Sequence, residues 1–391
     1  MTSKLQDYIT FKNGKKRPKD IGKYPVYGGN GILSYANTYN AEKCIIIGRV
    51  GAYCGCVYKS NGKCWISDNA ILGINKEHSD LNYLYYFLSS LQLNKRSIGS
   101  GQPLMTQDIL NNINVNIPPL ETQQKIAKIL SAIDDKIELN NKINANLEEQ
   151  AQAIFKSWFV DFEPFDGVMP DDWEKGTFNK IIDTTISGDW GKDKQTGNYT
   201  EKVYCIRGAD IPNIREGSKG KMPERYININ NFKDKKLSDG DLVVEISGGS
   251  PTQSTGRIVA ITSFLQKRYD NDLICTNFCK AIKPKENYSM FVYYYWIYLY
   301  KKNVFFSYEN GTTGIKNLDI NSILEQEPIV IPSTCIIENF NKACTKIHNI
   351  IYTNGYENEK LQQLRDTLLP KLMNGEIDVE KVNINKTAYT K

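Results

Sequence analysis

Four cysteines stand close together in EKCIIIGRVGAYCGCVYKSNGKCWI, at Cys44, Cys54, Cys56 and Cys64. Structural zinc sites bring their ligands in close pairs with two to four residues between them; such pairs are missing here, Cys54 and Cys56 having only one between, and the segment reads as short strands, so buried strand thiols are expected and no metal. The chain has only two histidines, His78 and His348. A histidine-based triad or a His-rich metal centre has little to draw on, and solvent or packing roles are expected for both. No G-x-x-x-x-G-K-[ST] loop is present, and the glycine clusters YGGNG (27–31) and ISGGSP (246–251) lack the strand, G-x-G-x-x-G, helix order of a dinucleotide site. PDDWEKG (170–176) carries carboxylates, as metal nucleases do, but reads as a surface loop. No catalytic residues are expected.

A different chemistry is open to polar side chains on loops. Lys and Arg match phosphates, while Arg, Asn, Gln, Ser and Thr match the edges of nucleic-acid bases. The clearest basic cluster is KNGKKRPKDIGK (12–23), with Lys12, Lys15, Lys16 and Arg17, followed at once by the turn that holds Asn30. Further candidates are Arg49 in IIGRVG, Ser100 and Gln102 in GSGQP, Arg207 in CIRGAD, Gln253, Ser254 and Arg257 in GGSPTQSTGR, and Thr312, Thr313 and Lys316 in NGTTGIK. The 12–23 cluster is expected to sit on phosphates. Arg49, the GSGQP loop, Arg207, Gln253, Ser254 and Arg257 are expected to reach bases. Each of them, taken singly, is also what solvated surface looks like.

These loops need elements to hold them, and the sequence supplies the elements twice. GSGQPLMTQDILNNINVNIPPLETQQKIAKIL, from Gly99, is followed about 210 residues later by NGTTGIKNLDINSILEQEPIVIPSTCIIENFNKACTKI, from Asn310. Each has a glycine-rich loop, an Asp-Ile pair (Asp108-Ile109, Asp319-Ile320), a short apolar strand, an Ile-Pro and a long helix. Upstream, 42–58 matches 240–260 as strand, glycine turn, strand. CWISDNAILGI matches LICTNFCKAIKP with Asn69 beside Asn277, and LNYLYYFLSS matches FVYYYWIYLY as short buried helices.

The two long helices set the architecture. Ile126, Leu130, Ile133, Ile137, Asn140, Asn144, Leu147, Ala151, Ile154 and Trp158 alternate in steps of four and three, a coiled-coil seam. Adding 214 to each number gives Phe340, Cys344, Ile347, Ile351, Asn354, Asn358, Leu361, Arg365, Leu368 and Leu372. Both seams carry two asparagines at the same steps. A buried amide penalises every register that leaves it opposite a leucine, so Asn140, Asn144, Asn354 and Asn358 are expected to lock an antiparallel pair, with Asn140 and Asn354 as the positions to replace together. A helix of about forty residues is roughly 58 Å long, more than one turn of DNA.

With 391 residues, 40% hydrophobic and 24% charged, the chain is long enough for two or more cored domains. It has no apolar run of membrane-spanning length, MTSKLQDYIT has no signal core, and nine scattered cysteines fit a reducing compartment; a cytoplasmic location is expected, without membrane contact. Residues 1–115 carry 14 basic against 7 acidic side chains and residues 116–166 carry 5 against 9. Nucleic acid would therefore meet the globular parts and not the helices.

Several segments resemble the specificity subunit of Type I restriction-modification enzymes: KYPVYGGNGI with IIIGRVG, NIPPLETQQKIAKILSAIDDKI, IFKSWFVDFEPF and LLPKLMNGEI. The resemblance spans essentially the whole chain; the second Ile-Pro, IPSTCIIENF, departs from the first. It implies an α+β fold, with two globular α/β target-recognition domains joined by two long antiparallel coiled-coil helices and related by an internal pseudo-twofold repeat. The expected boundaries are 1–117 and 163–331 for the recognition domains, 118–162 and 332–375 for the spacer helices, and 376–391 for a tail. It further implies that each domain reads half of a bipartite site on double-stranded DNA and that the helices set the spacing. They would also dock two methyltransferase subunits, to which restriction subunits add. No cofactor is expected here, since S-adenosylmethionine, ATP and Mg belong to the partners. The alternatives are a coiled-coil adaptor without DNA contact and a single-chain methyltransferase or nuclease. The latter lacks an N/D-P-P-Y/F motif, for Ile117-Pro118-Pro119-Leu120 sits where a helix begins.

Overall fold

A computed structural model describes residues 3–99, 101–250, 253–311 and 316–381. Two compact units emerge, one made of the residues up to Ile137 together with those from Lys360 on, the other of Glu138–Glu359. Both are described in turn.

The first unit is built on a six-stranded sheet. Its order is Ile9–Asn13, Ala70–Asn75, Ala41–Gly48, Val57–Ile66, Tyr24–Gly28, Gly31–Ala36. All neighbours are antiparallel except Tyr24–Gly28 beside Val57–Ile66, where Tyr27 faces Ile66 in a parallel pair. The run Cys44–Ile47 is wholly buried because both faces of this strand are covered. Ile45 and Ile47 pack under the helix Leu81–Ser90, against Tyr83, Leu84 and Phe87, while Cys44 and Ile46 meet Cys64, Ile66 and Leu72 on the other face. Asp80 caps that helix by accepting from the Tyr83 amide at 2.8 Å.

The second unit repeats the plan with one interruption. Ile182–Ser187, Cys279–Pro284, Leu242–Glu245 and Ile258–Ala260 form a sheet in that order, and Glu224–Asn228, Tyr199–Ile206 and Leu273–Cys275 form another. These are the same six positions. The fourth strand has been cut in two by residues 261–272, which include the Thr262-capped helix Ser263–Gln266, and the parallel pair survives with Ile206 facing Cys275. The core is a sheet-to-helix layer around Ser289–Lys301, whose Phe291, Tyr293, Tyr294 and Trp296 are buried.

Backbone hydrogen bonds fix the register of the repeat. Ser67 N donates to Tyr27 O and Thr276 N to Ile206 O, both at 2.9 Å; Arg49 N donates to Asn69 O at 3.0 Å and Ile246 N to Phe278 O at 2.9 Å; Met105 N donates to Arg49 O and Leu318 N to Ile246 O, both at 2.8 Å. Two expected alignments are thereby corrected. Asn69 corresponds to Phe278, not Asn277. Asp319 corresponds to Thr106, not Asp108, because the helix cap is what is kept: Thr106 accepts from Ile109 N at 3.2 Å and Asp319 from Ser322 N at 3.0 Å. Thr and Asp are interchangeable in that role, so matching letters misleads.

The long helices span Leu120–Phe159 and Thr334–Met373, forty residues each. In the first unit Ile126 and Leu130 join the sheet core together with Leu372 and Val379, and Arg365 pairs with Asp134 at 2.9 Å. In the second unit the helices run antiparallel past one another at the four asparagines. Asn140 donates to Asn358 Oδ1 at 2.9 Å, Asn354 donates to Asn144 Oδ1 at 2.8 Å, and Asn358 donates to the neighbouring Asn141 at 2.8 Å. The partners are therefore 140 with 358 and 144 with 354, which corrects the expected choice of Asn140 and Asn354. Shifting each number by 214 turns one pair into the other, so the two contacts are copies.

Beyond the asparagines the strict three-four seam gives way. Phe155 and Phe159 are fully buried in the second unit's core, while Ile154 and Trp158 only line it. A straight helix drifts about 20° per heptad against a 3.5-residue repeat, and here it rotates its stripe toward the globular part.

Each aromatic helix is fastened to a long helix by one tyrosine. Tyr86 OH donates to Asp134 Oδ2 at 2.6 Å in the first unit, and Tyr294 OH shares a hydrogen bond with His348 Nε2 at 2.7 Å in the second. Residues 134 and 348 differ by the same 214, so one attachment point has been kept and its chemistry changed. His348 is buried among Tyr293, Tyr294 and Tyr352, near Glu148, which Arg215 engages at 3.0 Å. Burial, the dominant influence, pushes its pKa below the ordinary 6.5, with Glu148 opposing and Arg215 reinforcing.

Two outcomes follow for stability. Asn358→Leu alone removes one of the two acceptors of the buried Asn140 amide, leaving it Glu357, and takes the donor from Asn141; it is expected to destabilise the unit by about 1–3 kcal/mol. Asn140→Leu with Asn358→Leu should instead raise the melting temperature while light scattering reveals additional oligomers; a double variant melting below the single one would refute the register lock. Because His348 is kept neutral, its contribution is complete above pH 6.5 and declines as pH falls toward its lowered native value. Melting curves from pH 7.5 to 5 should flatten in His348→Gln, and an unchanged slope would show that other groups control acid unfolding.

Candidate nucleic-acid interface

In the first unit five loops are stitched to one another by their backbones. Lys15 N donates to Ile66 O at 2.9 Å, Arg49 N to Asn69 O at 3.0 Å, Gly51 N to Pro103 O at 2.9 Å and Met105 N to Arg49 O at 2.8 Å. Gly29 lies against Asn69 and Gly48. The loops bearing Lys15, Asn30, Arg49, Asp68-Asn69 and Gln102 thus form one continuous surface. Lys12, Lys15, Lys16, Arg17, Asn30 and Gln102 are exposed on it, and Arg49, half-buried, donates to Asp68 O at 3.3 Å. The close packing requires a glycine at Gly14, where a Cβ would lie 1.9 Å from Ser67 O.

The second unit makes the same crossing. Asp189 N donates to Cys275 O at 2.9 Å, and a Cβ on Gly188 would lie 1.9 Å from Thr276 O. The side chains, however, are differently disposed from expectation. Arg207 grips Asp210, itself 2% exposed, through Nε at 2.9 Å and a terminal nitrogen at 3.0 Å, and also donates to Lys221 O. Arg257 is bidentate on the buried Glu245 at 2.7 and 2.5 Å. Lys316 pairs with buried Glu309 at 2.7 Å. Ser254 is only 4% exposed, so its hydroxyl is not on the surface, while Gln253 is exposed and reaches Tyr300 OH at 3.4 Å. Of the expected contacts, Arg207, Arg257 and Lys316 are thus engaged in ion pairs and Ser254 is buried, engagements that the loop sequences did not reveal. Ser100, Thr312 and Thr313 lie outside the described residues.

What the loop survey missed is the segment after the second crossing. Residues 190–198, WGKDKQTGN, follow Gly188-Asp189 as KRPK follows Gly14-Lys15, and they expose Trp190, Lys192 and Lys194. Arg225 stacks on Trp190 at 4.2 Å and donates to its carbonyl at 2.8 Å, stiffening the loop. The signal was in the sequence as GDWGKDK, but only the crossing shows that it occupies the place of the 12–23 cluster. Among the described residues no cluster of three or more His, Cys, Asp or Glu could hold a metal ion, and no helix is long and apolar enough to cross a membrane.

The model of the type I restriction modification DNA specificity domain matches residues 1–149. The MjaIX specificity subunit of a type I restriction enzyme from Methanocaldococcus jannaschii is 29% identical over 319 residues, covering 77% of this chain and 70% of that protein. The HindI counterpart from Haemophilus influenzae is 28% identical over 338 residues, covering 70% and 71%. The chain is thus similar, over most of its length, to the specificity subunits of type I restriction enzymes. Its fold is that of the crystallised type I restriction-modification S subunit from M. genitalium, with a TM-score of 0.60 at 18% identity over 95% of this chain and 96% of that one. The family model ends within the first long helix, and the repeated crossing shows that the second half of the chain follows the same plan.

For a specificity subunit it matters which arginines face outward. Arg257→Ala leaves Glu245 charged, buried and unpaired, and should destabilise the second unit by about 3–5 kcal/mol, read as a fall in melting temperature. An unchanged melting temperature with selectivity lost at one base pair would return Arg257 to the reading surface.

Proposed function

We propose that this chain supplies the sequence selectivity of a type I restriction-modification complex and performs no chemistry itself. Each of its two globular parts presents one stitched loop surface to one half of a bipartite DNA target. The observation that carries this reading is the repeated crossing, Gly14 over Ser67 and Gly188 over Thr276, which builds the same kind of polar loop surface twice in one chain. Lys12, Lys15, Lys16 and Arg17 would hold phosphates for the first reader, with Lys192 and Lys194 in that role for the second. Of the loop residues expected from the sequence, Asn30, Arg49, Gln102 and Gln253 would be among those that meet bases.

The subunit acts within a complex of DNA and other subunits. In our reading the long helices set the spacing between half-sites and dock two methyltransferase subunits, to which the restriction subunits attach. Leu139, Ile143 and Ile350 support the docking role, being apolar side chains exposed on the long helices. S-adenosylmethionine, ATP and Mg would then act on the partners. A coiled-coil adaptor would have no use for two loop surfaces rich in Lys, Arg, Asn and Gln.

Methylome sequencing of cells with and without this chain tests the proposal. The expected result is one bipartite motif, methylated on both strands, that disappears on deletion and returns on complementation. An unchanged methylome, or methyl transfer by the purified chain alone, would refute it.

A further inference from the structure

At the centre of each loop surface sits a tight turn, Ser67-Asp68-Asn69-Ala70 in the first unit and Thr276-Asn277-Phe278-Cys279 in the second. Their backbones are held identically. Each is closed by a bond from its last amide to its first carbonyl, Ala70 to Ser67 at 3.0 Å and Cys279 to Thr276 at 2.9 Å. Each receives the crossing glycine against that same carbonyl, donates from its first amide to the preceding parallel strand, and accepts at its third carbonyl from Arg49 or Ile246. Each opens on a buried hydroxyl, Ser67 or Thr276. The framing residues are small and buried in both units, whereas the two central residues are exposed in both.

Where the frames agree the tips do not. Asp68 is an acceptor and Asn69 offers both a donor and an acceptor; Asn277 offers both, and Phe278 is apolar yet 56% exposed. Resting on the reading of the chain as a DNA-recognition subunit, we infer that these two turns are specificity-determining elements, with Asp68 and Asn69 selecting bases in one half-site and Asn277 and Phe278 in the other. The major groove offers the matching groups: the cytosine amino group for Asp68, the paired donor and acceptor of adenine for Asn69 or Asn277, and the thymine methyl for Phe278. A turn whose backbone bonds are satisfied by its own scaffold can change its tips without refolding. That is what one fold needs to read two different half-sites.

The test uses the complex of this chain with its methyltransferase subunits, once the wild-type motif is known from methylome sequencing. Binding of Asp68→Ala, Asn69→Ala, Asn277→Ala and Phe278→Ala is measured by competition against duplexes each changed at one base pair. The first two variants should lose discrimination at a base pair of one half-site only, and the last two in the other half only, each by roughly 5- to 100-fold. Replacing thymine by uracil in the second half-site should mimic Phe278→Ala. Unchanged base preferences in assembled variants, or an equal loss for every duplex, would overturn the assignment. Where an alanine variant does not assemble, Asp68→Asn or Phe278→Leu keeps the turn and must shift preference at the same base pair, or the assignment fails. A wild-type methylome without a bipartite motif would instead count against the recognition reading itself.

Discussion

One backbone crossing governs the shape of each loop surface. Where the chain leaves its first strand at Gly14, it passes so close to the carbonyl of Ser67 that no side chain fits, and the second unit does the same at Gly188 over Thr276. Glycine is needed there for proximity and not for an unusual backbone angle. The approach lets Lys15 and Asp189 donate to the strand ends at Ile66 and Cys275, which ties the segment carrying the basic cluster to the turn at the surface's centre. The exposed lysines and the polar residues of the turn are thereby placed on one rigid support. The alternative, a loose loop bearing the same lysines, would have to give up conformational entropy on binding and would fix no register on DNA.

The helix pair answers a different constraint. A seam of leucine and isoleucine alone would slide, since neighbouring registers bury similar area. The amide pairs Asn140 with Asn358 and Asn144 with Asn354 make one register distinct, because any slip leaves several amides facing hydrocarbon. Close by, Gly355 packs against Gly217 so tightly that a Cβ would fall 2.4 Å from the Gly217 backbone, which brings a loop of the second unit onto the helix at the same level. The two tyrosine attachments, Tyr86 to Asp134 and Tyr294 to His348, add a directional bond to what is otherwise apolar packing. Hydrophobic contact decides that the parts meet; the polar bonds decide how.

Much of this was legible in the sequence. The seam, its length, the duplicated asparagines and the strand-turn-strand order all depend on periodicity and spacing, which one chain displays. What was not legible depends on pairing in space. Arg207, Arg257 and Lys316 look like free cations in a list of letters, yet their carboxylate partners Asp210, Glu245 and Glu309 are three, twelve and seven residues away and reveal themselves only when the chain turns back. Ser254 sits in a polar run, GGSPTQSTGR, whose hydrophilicity gives no hint that one member faces inward. Asn69 was aligned with Asn277 by identity, while the hydrogen bonds align it with Phe278. Strand order was visible as repetition, but the cut in the second unit's fourth strand needed the sheet pairing to be seen.

The charge of the two halves takes on a different meaning in this light. Residues 167–331 carry 22 basic against 21 acidic side chains, and several of the cations are held inside the second unit: Arg207, Arg215, Arg257, Arg268 and Lys316 all lie in ion pairs with partly or wholly buried carboxylates. Such pairs add little field at the surface, since each cancels its own charge within a few ångströms. The first unit has few acidic residues and leaves Lys12, Lys15, Lys16 and Arg17 exposed. Net charge therefore understates how alike the two surfaces are in design and overstates how alike they are in strength. The first exposes its lysines on the strand end and crossing loop, whereas the second exposes Lys192 and Lys194 on the short segment stiffened at Trp190. On the proposed reading, its selectivity rests more on the shape and chemistry of a fixed turn than on attraction to the DNA backbone. An exposed phenylalanine is tolerable under that condition, because a weakly attracting surface gains most where apolar contact with a base adds to whatever the lysines hold.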